Sequence, residues 1–77
     1  MAMQRYLNRS GGSGVVAYEA GPASITVRFA DGSVYLYDRG RPGVAQVDEM
    51  KRLAQAGRGL SSYISRAVRQ NYAKKLR

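Results

Sequence analysis

Between Gly14 and Asp38 the apolar positions follow a period of two. The runs "VVAYE" (Val15 to Glu19), "SITVRF" (Ser24 to Phe29) and "SVYLYD" (Ser33 to Asp38) are rich in β-branched and aromatic residues, as strands are. "AGPA" (Ala20 to Ala23) and "DG" (Asp31-Gly32) separate them, and Asp-Gly between alternating runs favours a tight type I′ hairpin. A three-stranded antiparallel meander is the expectation. After "RPG" the spacing changes to three and four, with Val44, Val47, Met50, Leu53 and Ala54 on one side of a helix. Pro42 suits its first position, Asp48 and Glu49 precede Lys51 and Arg52 as the helix dipole prefers, and Gly57 and Gly59 end it. A second helix is expected from near Ser61 to about Lys75, with Leu60, Tyr63, Ile64, Ala67, Val68 and Tyr72 as its apolar stripe. The predicted fold is α+β, in the order β-β-β-α-α, with both helices on one face of the sheet. Residues 1 to 13, which include most of the linker-like "SGGSG", read as a flexible arm before a single domain over 14 to 77.

Strand register decides where the central tyrosines point. A two-residue loop at Asp31-Gly32 would pair Phe29 with Val34, Arg28 with Tyr35, Val27 with Leu36 and Thr26 with Tyr37. Ile25, Val27, Phe29, Val34 and Leu36 would then form the helix-facing side, and Thr26, Arg28, Tyr35 and Tyr37 the outer side. Closing the first hairpin at Gly21-Pro22 adds Val16 and Tyr18 to the core and leaves Val15, Ala17 and Glu19 outside. A slip of one residue would exchange the faces.

Charge adds a partner class. Thirteen Lys and Arg stand against five Asp and Glu; residues 1 to 50 are balanced, and residues 51 to 77 hold eight basic residues and no acidic one. So concentrated an excess points to an anionic partner. No histidine or cysteine is present, which removes the usual general base, the thiol nucleophile and the commonest metal ligands. Asp31 is explained by its turn and Asp48 and Glu49 by the helix dipole, so no acid–base pair remains. The expectation is a non-catalytic protein without metal or small-molecule cofactor. The chain has no apolar run of about 18 residues. "MAMQRYLNRSGGSG" lacks the apolar core of a signal peptide, so the sequence reads as cytoplasmic, with no membrane partner.

The chain also resembles the KTSC domain, a small module found at the C-terminus of some lysyl-tRNA synthetases and as a stand-alone bacterial protein. The resemblance spans roughly residues 13 to 72. It rests on the Tyr-x-Tyr of "FADGSVYLY", on Pro42 after a short loop, on the small-residue turn in "AQAGRGLSSYI", and on "ISRAVRQNY". It implies the same α+β order and RNA as the working partner, and it marks Tyr35, Tyr37 and the basic C-terminal helix as candidates.

Two functions follow. In one, the protein binds nucleic acid, RNA favoured: Lys51, Arg52, Arg58, Arg66, Arg69, Lys74, Lys75 and Arg77 meet phosphates, and Tyr35 and Tyr37 with Arg28 stack bases. The obstacle is geometric, because the outer-face tyrosines and the helices lie on opposite sides of the sheet. In the other, the module docks on an acidic protein surface or on itself, with the tyrosines as anchors. The outer face is poor in aliphatic area, which favours a monomer.

Overall fold

The computed structural model describes residues 3–7, 14–68 and 71–77. The fold is α+β. Its sheet is antiparallel and has five strands rather than the expected three, in the spatial order β1 (Gln4–Arg5), β2 (Val15–Ala20), β3 (Ser24–Phe29), β4 (Val34–Asp38) and β5 (Lys74–Lys75). Two helices, α1 (Val44–Ala56) and α2 (Leu60–Tyr63), connect β4 to β5. α2 runs directly into a π-helical segment, Ile64–Val68.

The meander and α1 form where periodicity puts them. α1 begins one residue past Gly43 rather than at Pro42, which lies in the preceding turn, in a cis peptide bond with Arg41. That turn is organised by Asp38, whose Oδ1 accepts hydrogen bonds from the Gly40 and Arg41 N–H groups at 2.9 and 3.0 Å. α1 ends at Gly57, in the left-handed conformation (φ 77°), with its N–H bonded back to the Leu53 and Ala54 carbonyls. A β-carbon on Gly57 would also lie 2.7 Å from Leu7 Cβ, so the N-terminal segment closes over this helix end.

Three expectations are corrected. The first concerns the β3–β4 hairpin. Its loop has three residues: Gly32 N–H bonds to the Phe29 carbonyl at 3.0 Å, Gly32 takes φ 92°, and Phe29 N–H bonds to the Ser33 carbonyl at 2.9 Å. This is a turn followed by a glycine bulge, a geometry that Asp-Gly serves as well as the two-residue turn. Arg28 now pairs with Val34, Val27 with Tyr35 and Ile25 with Tyr37. The whole of β4 is therefore turned over. Tyr35 and Tyr37 join Ile25, Val27 and Phe29 on the helix-facing side, while Val34 and Leu36 share the outer side with Thr26 and Arg28.

The second concerns β2. The first turn lies one residue further along, so Tyr18 pairs with Val27 and keeps its place in the core. A register shift between Val15 and Ala17 turns Val15 inward, and Val16, expected in the core, is 40% exposed. The third concerns both ends. Within the expected arm, Gln4–Arg5 pairs with Ala17 and Tyr18, and Tyr6 is 3% exposed in the main core; residues 8–13 lie outside the described ones. The Tyr6 hydroxyl accepts the Leu60 N–H at 3.2 Å, satisfying a donor that the first turn of α2 leaves free. The second helix does not reach Lys75. By Lys74–Lys75 the chain is a fifth strand on β4, with Ala73 N–H bonded to the Leu36 carbonyl and Leu76 N–H to the Val34 carbonyl.

The core lies between the helix-facing side of the sheet and α1, α2 and the π segment. Ile25, Val27, Met50 and Leu60 are fully enclosed, with Val47, Ala54, Tyr37 and Val68 around them. No helix of the described residues is long and apolar enough to cross a membrane.

Candidate nucleic-acid interface

The inverted β4 gathers four aromatic rings. Phe29 meets Tyr35 edge-on at 5.6 Å between centroids; Tyr35 meets Tyr72 at 4.6 Å, tilted by 50°; and Tyr72 meets Tyr37 edge-on at 6.5 Å. Edge-to-face and tilted pairs are the arrangements that ring quadrupoles favour. Tyr37 is 1% exposed and belongs to the core, whereas Tyr35 is half-buried at its margin. Burial, with smaller contributions from the phenols of Tyr35 and Tyr72, pushes the Tyr37 hydroxyl up to about 12.

Beside these rings is a recess of about 470 Å³, a size typical of ligand sites. Its floor and walls are Tyr35, Tyr37, Phe29, Tyr72 and Ile64. The β3–β4 loop supplies one rim through Ala30, Asp31 and Ser33. Asp31 Oδ1 accepts the Ser33 N–H at 2.9 Å and the Ser33 hydroxyl at 2.6 Å. Those bonds, the hydroxyl's first, hold its carboxyl below the usual carboxylate range, and the charge of Lys75 acts in the same direction. Asp31 is therefore ionised at neutral pH.

Lys75 is placed by strand pairing. It stands opposite Tyr35 in the β4–β5 ladder, on the same face, with Nζ 5.8 Å from the Tyr35 ring centroid. That is cation–π distance. Lys74 projects to the other side, opposite Leu36, and Arg77 follows; all three are exposed. Of the remaining predicted residues, Arg66 is exposed on the π segment and Arg58 in the turn between the helices, while Arg69 lies outside the described residues. Arg52 is engaged by Glu49, Nε to Oε1 at 2.9 Å, and Lys51 donates to the Pro22 carbonyl at 3.1 Å.

Arg28 is not beside the tyrosines. It pairs with Ala17 and Val34 and faces away, in a cross-strand row with Arg5. The structure thus brings Tyr35, Tyr37 and Lys75 together and separates Arg28 from them. Sequence reasoning placed Tyr72 on a helical stripe and missed its contact with the strand tyrosines. Nothing in "NYAKK" signals a strand. Among the described residues no group of three or more His, Cys, Asp or Glu could hold a metal ion.

Comparisons with protein-family models, curated proteins and solved structures find no match to this chain.

Proposed function

We propose that this protein is a non-catalytic module for single-stranded nucleic acid, RNA favoured, that seats a base in the aromatic recess and holds phosphates with the cations of β5. One observation carries the reading. The half-buried Tyr35 ring faces a ligand-sized apolar recess, with the Lys75 ammonium over it. Base stacking on an aromatic ring is sequence-tolerant and worth about 1–3 kcal/mol per base. Lys75 would leave the ring for a phosphate as a base enters, with Lys74 and Arg77 continuing the positive edge. The eight basic residues of 51 to 77 supply the long-range attraction. The obstacle raised by the expected register is gone, because tyrosines and helices share one side. The Tyr-x-Tyr that resembles the KTSC pattern supports the same reading.

The test is a fluorescence-anisotropy titration with a labelled eight-nucleotide single-stranded RNA, repeated across salt concentrations. Three phosphate contacts on a single strand give a log–log salt slope of about −2. Tyr35→Ala is expected to weaken binding by about 5- to 150-fold, and Lys75→Ala to weaken it and flatten the slope. Arg28→Ala, on the opposite face, should change affinity by less than about threefold, the effect of one exposed charge. Equal losses from Arg28→Ala and Lys75→Ala, or no loss from Tyr35→Ala, would overturn the assignment of the recess.

A further inference from the structure

The recess carries a directional signature beyond its aromatic walls. Its loop rim presents oxygen acceptors. Asp31 Oδ1 is occupied by the Ser33 N–H and hydroxyl, so a ligand donor would meet the carboxylate at Oδ2. The Ser33 hydroxyl spends its single proton on Asp31 and offers only lone pairs to a ligand. Asp31 is exposed and ionised, so the side chains of Asp31 and Ser33 offer a ligand only acceptors at neutral pH.

Bases differ in what they offer such a rim. The pairing edge of guanine carries two neighbouring donors, N1–H and the N2 amino group, followed by the O6 acceptor. Adenine and cytosine present one amino group next to a ring-nitrogen acceptor. Uracil presents one N–H between two carbonyls. Two adjacent donors turned to the oxygens of Asp31 and Ser33, with no acceptor between them, fit only guanine among the four. Side chains that form matched pairs with a base edge discriminate by about 1–3 kcal/mol against the wrong base.

We infer that the recess is a guanine-selective pocket, with Asp31 accepting from the guanine pairing edge and Tyr35 stacking on its ring. This rests on the nucleic-acid reading above. The experiment measures affinity for U-rich eight-nucleotide RNAs that differ only in one central base: guanine, adenine, cytosine, uracil or hypoxanthine. Hypoxanthine keeps N1–H and O6 and lacks the N2 amino group. Guanine should bind at least about tenfold tighter than adenine or uracil, with hypoxanthine between them. Asp31→Asn, nearly isosteric and checked for folding by its thermal melt, should level the series, removing the advantage of guanine over adenine, uracil and hypoxanthine. Equal affinity for all five RNAs overturns the guanine inference and leaves the nucleic-acid reading standing. A guanine preference that survives in folded Asp31→Asn removes Asp31 from the role and overturns the inference as stated. Binding to none of the five overturns the nucleic-acid reading itself, and the inference with it.

Discussion

Replacing Tyr37 with alanine and, separately, its neighbour Leu36 with alanine tests the inverted strand directly. Tyr37 is 1% exposed, in contact with the main core, whereas Leu36 is half-buried on the side of the sheet that no helix covers. Truncating a buried aromatic costs about 3–5 kcal/mol through lost transfer energy and the cavity left behind. Truncating a half-buried leucine costs about 1 kcal/mol, half of what full burial contributes. A chain of 77 residues has a total stability on the order of 4–12 kcal/mol. Tyr37→Ala therefore removes a large part of it, lowering the melting temperature by at least about 12 °C at roughly 4 °C per kcal/mol. Leu36→Ala should shift it by less than about 8 °C. Urea titrations followed by circular dichroism give both free energies, and an unchanged slope certifies that stability alone moved. In the two-residue-loop register the order reverses: Leu36 would be the core residue and Tyr37 the exposed one. Leu36→Ala costing more than Tyr37→Ala would refute the three-residue loop and everything placed on it.

Three further outcomes follow from the geometry. Gly57→Ala should destabilise by about 1–2 kcal/mol for the left-handed conformation alone, and by more because its β-carbon meets Leu7; a urea midpoint equal to wild type would contradict that packing. The folded state keeps the Tyr37 proton up to about pH 12 against 10 for a free phenol, so this contribution to stability is complete below about pH 10 and is lost as pH rises toward 12. Ultraviolet titration of phenolate absorbance should then show a late step near pH 12, and Tyr37→Phe should abolish that step. Deleting residues 72–77 removes Tyr72 from the aromatic cluster and uncovers the β4 edge, so the shortened chain should melt earlier and sediment with a larger self-associated fraction than the full one.

Much of this arrangement was legible in the chain. The switch from period two to period 3.6 after "RPG" located the meander and α1, and the paired glycines located the turn after it. The register of β4 was not, for two physical reasons. Asp31-Gly32 satisfies a two-residue turn and a three-residue turn with a glycine bulge equally well, because both need positive φ at Gly32. "VYLY" is apolar at all four positions, so alternation could not say which pair faces in. The two outer strands escaped notice because each is two residues long with polar side chains. Their pairing is set by the neighbouring strand and by Tyr6 and Tyr72, which anchor the adjoining chain, and not by strand propensity. The candidate site suffered from the same gap: Tyr35 and Lys75 are forty residues apart in sequence, and only the β4–β5 ladder makes them neighbours.

The borders of the sheet bear on how the protein behaves in a crowded solution. Each outer strand has two residues, and they carry Arg5 on one side and Lys74 and Lys75 on the other. A second molecule approaching edge to edge meets like charge and almost no length of free ladder, which is how sheets resist stacking into polymers. Dispersal here depends on cations that a polyanion would neutralise. With excess polyphosphate chain each molecule stays separately coated; near charge equivalence the mutual repulsion vanishes, and turbidity should peak at that ratio and clear on either side of it.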